Sequence, residues 1–402
     1  MKTLKETFIH TRVLVLFLCL TVSISSATYA GRLVAWGNEA DNRINVPEGD
    51  DFIAVSASWK RGLALRADGS IVGWGQNNWG QSDPPPGHDF IAISAGQLHS
   101  LALRSDGSLY AWGYNDKGQA NVPVGNDFIA VSGGDSHSLA LKSDGSIVAW
   151  GESEEGEGLI TLVKNAMAID AGHNYSVALT ASGQLVQRGR CSQKTSCFTP
   201  QGSDFTAIAV DSALFGNHGL ALRADGSIVA WGDNDEGQSV SPQGHEFITI
   251  AAGFAHSLAI RADGSLLAWG SNTYGESDVP NIPGKFIAVA GGLYFTVAIV
   301  DFSDIENIPP VADAGRDLVA HANEEVVLDG SGSYDPDGSI VTYTWRRLPD
   351  NVVLYSGPEP TFTTRALGRV EEIIELTVTD DLEGSSSSTM TITNALVQNE
   401  QD

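Results

Sequence analysis

Residues 100–113 read Ser-Leu-Ala-Leu-Arg-Ser-Asp-Gly-Ser-Leu-Tyr-Ala-Trp-Gly. Apolar positions alternate with small or polar ones, the alternation breaks at Asp106-Gly107, and it then resumes. A period of two marks a half-buried strand. Asp-Gly tolerates the positive φ angles of a tight two-residue turn. The pattern therefore predicts a β-hairpin. The hairpin recurs along the chain. Trp-Gly pairs begin at Trp36, Trp74, Trp112, Trp150, Trp231 and Trp269, spaced 38 residues apart except for one interval of 81 after Trp150. Inside that interval, one regular spacing beyond Trp150, Arg188-Gly189 ends a hairpin that has lost its Trp. Another apolar strand precedes each hairpin, starting at Phe52, Phe90, Phe128, Ala166, Phe205, Phe247 and Phe286. The pattern predicts seven units of three short strands.

Each unit has too little apolar surface to fold alone, so the units must stack. The ends of the array choose the geometry. The seventh unit ends after Thr296–Val300 without an Asp-Gly turn or a Trp-Gly strand. The missing strand stands at the other end of the array, as Gly31–Gly37, with no hairpin of its own before it. A solenoid would need polar caps at both ends. A ring would need this exchange of one strand. The expected fold is all-β, a seven-bladed β-propeller of three-stranded blades over residues 31–303, closed by the N-terminal strand.

The alternation then changes. Residues 304–310 read as an extended linker. Residues 311–395 show alternating strands between turn clusters, with Trp345 as the core aromatic, which predicts a small immunoglobulin-like β-sandwich. Residues 396–402 read as a polar tail. At the other end, residues 1–30 have basic Lys2, Lys5 and Arg12, an apolar run Val13–Val22 and the small-residue site Thr28-Tyr29-Ala30. That is the pattern of a cleaved signal peptide, and the apolar run is too short for a membrane span. A secreted or periplasmic protein is expected.

Charge narrows the partners. The chain has 23 basic and 49 acidic residues; removing residues 1–30 leaves 20 against 48, a balance of −28. Such a surface repels phosphate backbones, which argues against nucleic acid and anionic membranes and suits a basic protein partner. A monomer is expected. In an oxidising compartment, Cys191 and Cys197 read as a local disulfide. The alternative, a metal site, would need two further ligands that this segment lacks.

The pattern A-G-x-x-H-S-L-A-L-x-x-D-G-S-(I/L)-x-x-W-G-x-N-x-x-G-Q stands in Ala95–Gln119 and, with small changes, in Ala252–Gly275. It resembles the repeat of the regulator of chromosome condensation (RCC1) superfamily. The short repeat period, with Val-Pro in the linking loop at Val122-Pro123 and Val279-Pro280, is closer to the beta-lactamase inhibitory protein II branch. That resemblance implies a seven-bladed propeller that binds its enzyme through loops on one face. Pro309–Gly315, Val326–Gly338, Ile340–Trp345 and Glu375–Asp380 resemble the PKD domain. PKD-like domains often accompany secreted polysaccharide or protein degraders.

Several residues carry candidate chemistry. His99, His137, His218 and His256 share one repeat position and could ring the central channel as metal ligands. Arg61, Tyr175 and Phe295 hold that position in other blades, so each His reads instead as a buried residue tying its strand to a neighbouring turn. The repeated Trp reads as core, packed against the next blade. Asp329, Asp335, Asp337 and Asp380 are weak Ca²⁺ candidates in the PKD-like domain, with a turn as the alternative reading, and no other cofactor is expected. No nucleophile elbow, His-Glu-x-x-His or phosphate loop is present.

What varies between blades is the turn before each hairpin. The binding residues expected there are Trp59, Lys60, Gln97, Leu98, Asp135, His173, Asn174, Phe215, Phe254, Leu293 and Tyr294. A second loop set offers Trp79, Tyr114 and Tyr274 beside Asp116, Glu155 and Glu236, as the alternative face. The expected function is a non-enzymatic exported scaffold that binds a protein partner, with inhibition of an extracytoplasmic enzyme as one form. The PKD-like domain would act as a spacer or make cell-surface or polysaccharide contact. The rival is a secreted carbohydrate-binding protein, or a hydrolase or lyase accessory, with its site at the propeller channel.

Overall fold

A computed structural model describes residues 30–190, 199–211, 218–303, 307–336 and 338–395. The expected signal segment up to residue 29, Cys191, Cys197, Phe215, Asp337 and the tail lie outside the described residues. The chain divides into two compact units between Ser303 and Asp304. Among the described residues no helix is long and apolar enough to cross a membrane.

The first unit is seven antiparallel sheets of three strands. In the first blade, Phe52–Ser58 pairs with Arg61–Arg66, which pairs with Ile71–Gly75. The last blade pairs Lys285–Gly291 with Phe295–Asp301, and its third strand is Arg32–Gly37 from the N-terminus. Leu33, Val297 and Ile299 then share one core with Phe52, Ala64 and Trp74 of the first blade. The ring is closed, as the orphan strand requires. Along it, each blade's apolar side chains pack on those of its neighbours rather than into one central core.

The first strands lie innermost, because they hydrogen-bond directly from blade to blade. The Ala95, Gly133 and Ala171 amides donate to Ser56, Ser94 and Ser132 Oγ at 3.0, 3.0 and 2.9 Å. In the fourth blade Asp170 takes this place, accepting from Ser132 Oγ at 2.8 Å and from the Val210 amide at 2.8 Å.

A second bond set locks three of the interfaces farther out. The Gln119 carbonyl, in the loop leaving the second blade, accepts the Trp150 indole at 2.8 Å and Ser138 Oγ at 2.9 Å, both from the third blade. Ser138 Oγ in turn meets His99 Nε2 of the second blade at 2.8 Å. A hydroxyl has one proton. Since that proton goes to the carbonyl, His99 must donate from Nε2, which assigns its tautomer. The same node recurs at Gln238, with Trp269, Ser257 and His218, and at Glu276, with Trp36, Thr296 and His256. The repeated Trp thus bonds toward the preceding blade, not the next as its sequence position suggests. Each His ties its blade to a hydroxyl of the following one.

Where the His is absent, its partner changes too. Tyr175 faces Gly219 and Phe295 faces Gly62, where other blades carry Ser or Thr. A Cβ at either glycine would strike the indole of its own blade, Trp74 or Trp231. The indole has moved into the space that the hydroxyl vacates, and these are the two buried indoles of the propeller. At the remaining interface Arg61 donates to the Gln81 carbonyl at 3.1 Å and to the Gly96 carbonyl at 2.8 Å. It takes the acceptor an indole would use, and Trp112 Nε1 is left buried without a partner.

The second unit is the β-sandwich. Leu318–Ala320, Ser385–Asn394, Glu371–Asp380, Ile340–Leu348 and Val352–Gly357 form one sheet in that order, and Glu325–Asp329 pairs with Thr361–Arg365 in the other. Trp345 is fully buried between them with Leu328, Ile374, Leu376 and Met390.

The interface node can be tested by paired substitution. Ser138→Gly strands the His99 N–H and is expected to cost about 1–3 kcal/mol. His99→Phe with Ser138→Gly recreates the Phe295–Gly62 pairing, so the double variant should lose clearly less than the two single losses added together. Urea unfolding of the four proteins measures this coupling, and strict additivity would refute the node.

The buried histidines also set a pH dependence. Burial holds His99 and His218 down to about 3 and His137 and His256 down to about 4. Unfolded His titrates near 6.5. With folded values depressed, stability is fully present above about pH 6.5 and is lost as pH falls toward the folded values. Burial raises Asp170 to about 6, and raises Asp135 and Glu157, which works in the opposite direction, but these three carboxyls are outweighed by the four deeply buried imidazoles, with His173 lowered as well. The urea midpoint should therefore be flat from about pH 7 to about 8 and fall steadily from about 6.5 to about 4.

Candidate protein-binding face

The turns joining the first and second strands and the loops leaving the third strands meet at the same end of the propeller. Backbone bonds lace them together: the Gln76, Tyr114, Glu152 and Ser271 amides donate to the Lys60, Leu98, Ser136 and Ala255 carbonyls at 2.8–3.0 Å. The two loop sets read as alternative faces in the sequence are one face, with the turns as an inner ring and the loops as an outer ring. The Asp-Gly turns occupy the opposite end, where Phe90 donates its amide to the Gly69 carbonyl.

The inner ring is tight. The Gln97 amide donates to Gly134, Phe254 to Gly292 and Leu293 to Trp59, each across to the next blade, at 3.0, 3.2 and 2.6 Å. Close packing decides what these residues do. Gln97 and Leu293 are buried and fill the ring itself. Trp59, Lys60, Leu98, Asp135, His173, Asn174, Phe254 and Tyr294 are half-buried, each showing part of its surface. Lys60 pairs with Asp41 at 3.1 Å, and His173 Nδ1 lies 3.3 Å from Asp135. Burial pushes both members of the latter pair toward their neutral forms.

The outer ring shows how the repeat displays what varies. In five of the loops a buried Gln or Glu side chain accepts the backbone N–H of the residue two positions earlier. Gln81 holds Trp79 at 2.8 Å, Gln119 holds Lys117 at 3.0 Å, Glu157 holds Glu155 at 3.1 Å, Gln238 holds Glu236 at 2.9 Å and Glu276 holds Tyr274 at 2.8 Å. All five held residues are exposed. Because the bond uses only main chain, any side chain is accepted there. The asparagine of the same loop closes it from the other side; Asn77 Oδ1, for instance, accepts the Ser82 amide at 2.9 Å.

The displayed aromatics are not scattered. Trp79 and Tyr114 contact each other with centroids 4.8 Å apart. Tyr294 meets Phe254 edge-on at 5.4 Å and Tyr274 at 5.0 Å. Tyr274 and Trp79 are the most exposed aromatics of the face, at 49 % and 55 %. Trp59 and Tyr294 also carry left-handed backbones, with φ of +49° and +59°, which bulky residues rarely adopt. Strain of this kind is held by its surroundings and clusters at binding sites.

The repeat histidines lie in the blade interfaces, bonded as described, and hold no open site. In the sandwich, Asp329 accepts the Ser331 amide, and Asp380 accepts those of Leu382 and Gly384. Their carboxylates are engaged by their own turns. Among the described residues no cluster of three or more His, Cys, Asp or Glu is placed to hold a metal.

The family model of the regulator of chromosome condensation (RCC1) repeat matches residues 90–119, 128–157, 216–238 and 247–276, and a PKD-domain model matches 314–393. The chain carries RCC1 repeats and a PKD domain. The propeller is similar to Prp20p from Saccharomyces cerevisiae, with TM-score 0.57 and 17 % identity over 71 % of this chain and 94 % of that one. It is also similar to human WBSCR16, with TM-score 0.55 and 16 % identity over 68 % and 99 %. Low-density lipoprotein receptor-related protein 11 of Mus musculus is 38 % identical over 92 residues, 22 % of this chain and 19 % of its own length. The chain therefore spans about a fifth of that relative.

The left-handed backbone at Tyr294 is testable apart from any partner. Tyr294→Gly and Tyr294→Ala both delete the ring, but only Gly takes φ of +59° without cost. The Gly variant should be more stable than the Ala variant by about 1 kcal/mol in urea unfolding. Equal stability would show that the backbone relaxes and is not held.

Proposed function

We propose that the RCC1-type propeller is a non-enzymatic scaffold that binds a protein partner on the face carrying both loop rings. The observation that carries this reading is the display itself: five exposed residues of different chemistry, each fixed by main chain alone, beside a contiguous set of half-exposed aromatics. Rigid aromatics on preorganised turns make binding hot spots. The fold is also that of yeast RCC1 (Prp20), which was solved bound to Kap60. The signal-like segment 1–30 supports binding outside the cytoplasm, where blocking an extracytoplasmic enzyme is one use of it. In this reading the PKD domain is a spacer or surface-contact module.

The test is affinity capture with the protein lacking segment 1–30, from envelope and medium, followed by affinity measurement with the purified partner. Trp59→Ala, Phe254→Ala and Tyr294→Ala together should weaken binding by about 100-fold or more. His88→Ala with His245→Ala, exposed at the Asp-Gly end, should leave it unchanged. The reverse result would move the partner to the other end.

A further inference from the structure

The propeller covers many of its phenylalanine rings with a cation. At the Asp-Gly end, Arg66 lies over Phe52 at 4.4 Å, Arg104 over Phe90 at 5.2 Å, Lys142 over Phe128 at 5.1 Å, Arg223 over Phe205 at 5.0 Å and Arg261 over Phe247 at 5.2 Å. Among the described residues no Lys or Arg lies over Phe254, Tyr274 or Tyr294. Yet these rings form the largest aromatic cluster on the proposed binding face, with Tyr294 in contact with both neighbours at interplanar angles of 78° and 42°. They come from three separate elements: a turn of the sixth blade, the loop after it and a turn of the seventh. Each is held by its backbone. The Phe254 amide donates to Gly292, the Tyr274 amide to Glu276 Oε2, and the Tyr294 carbonyl accepts from Asn38. The rings are therefore in place before anything binds.

The surroundings are negative. Exposed Glu236, and Glu276 beneath Tyr274, act on Tyr294, whose hydroxyl is held above the usual phenol range by burial first and by neighbouring charge second. The nearest cations are already engaged: Arg43 donates to the Leu293 carbonyl at 2.9 Å and pairs with Asp41 at 2.6 Å, and Lys60 pairs with the same carboxylate. Aromatic faces and carboxylates together attract an organic cation, most strongly where water is excluded.

We propose that Phe254, Tyr274 and Tyr294, with Glu236, form a cation site that takes an arginine or lysine side chain projecting from the protein partner. This rests on the scaffold reading and deepens it by naming the chemistry of the partner's anchor. A partner with such a residue in a basic surround also suits the −26 charge of the chain.

The test needs no partner. The full chain with ring-labelled tyrosine is titrated, in physiological salt, with acetyl-arginine amide, acetyl-lysine amide and the neutral acetyl-citrulline amide, and followed by NMR. Tyr274→Phe and Tyr294→Phe assign the signals. The two cationic probes should shift Tyr274 and Tyr294 selectively and saturably, and citrulline should not. Tyr274→Leu, which leaves net charge unchanged, and Glu236→Gln should each weaken binding by roughly 5- to 30-fold. His88→Ala, at the opposite, Asp-Gly end, should not. Equal shifts at all tyrosines, or equal response to citrulline, would overturn the site. Much tighter binding of tetramethylammonium would assign it to a quaternary ammonium ligand and overturn the side-chain assignment. Any of these outcomes leaves the capture experiment free to succeed, so failure of the site and failure of the scaffold reading are separable.

Discussion

Among the described residues, three of the seven blade interfaces are organised by one carbonyl oxygen, that of Gln119, Gln238 or Glu276. It sits at the end of an exposed loop and accepts two donors from the following blade, an indole N–H and a hydroxyl. The hydroxyl is pinned from the other side by a histidine of the earlier blade. At Gln119 these distances are 2.8, 2.9 and 2.8 Å. Buried polar groups of this kind stabilise only when every member is satisfied, because the low dielectric that strengthens a made bond also raises the cost of a missing one. That explains why the histidine and hydroxyl positions change together at Phe295–Gly62 and at Tyr175–Gly219. Phe295 has no proton to donate, and Gly62 opposite has no hydroxyl to receive one. Tyr175 faces Gly219 and sends its own hydroxyl to the His218 carbonyl instead. A one-sided change would strand a buried donor; a two-sided change removes the need for it and lets the indole fill the gap.

The same residue links scaffold to display. Gln119 gives its main-chain oxygen to the interface and its side-chain oxygen to the Lys117 amide. Gln238 does the same for Glu236, and Glu276 for Tyr274. One buried residue thus fixes both the position of the next blade and the backbone of the variable loop residue. The stability of the ring is transmitted to the proposed binding face as loop rigidity, and rigid loops lower the ordering cost of association.

The architecture is legible in the sequence because its signals are local and repeated. Alternation, the Asp-Gly turn and the constant repeat spacing each report a backbone requirement. The orphan strand Arg32–Gly37 and the incomplete last blade then close the ring, and the His position read as structural holds that role in space. The direction of Trp packing is not legible in the same way. Alternation separates the two faces of a sheet, but it does not say which face looks forward along the ring. The unity of the two loop sets is hidden for a different reason. Three strands per blade place both sets at one end: the chain rises, falls and rises within a blade and must descend in the linking segment. The information is present as parity, not in the composition of the turns themselves. Which turn residues show a side chain, as Phe254 does and Gln97 does not, depends on packing between blades and has no local signal at all.

The descent of the linking segments also shapes where chemistry can sit. They return along the outside to the Asp-Gly end, so residues there are tied to first-strand phenylalanines and their covering Arg or Lys. Their cation–π pairs and the surface ion pairs beside them, such as Arg223 with Asp204 at 2.8 Å, consume the local cations within the fold. At the loop end the balance differs. Lys117 and Arg190 are matched by Glu152 and Glu155, and Arg43 and Lys60 by Asp41, which leaves Asp116, Asp233, Asp235 and Glu236 outside the ion pairs of the described residues. A surface on which carboxylates outnumber bases and aromatics lack cations is complementary to a basic, not an acidic, counterpart. Charge of this kind acts chiefly on the rate of encounter and fades with salt, whereas desolvated rings act on the lifetime of the complex. In the proposed complex the two features of the loop face divide the work of recognition, the carboxylates drawing a partner in and the Phe254, Tyr274 and Tyr294 rings holding it.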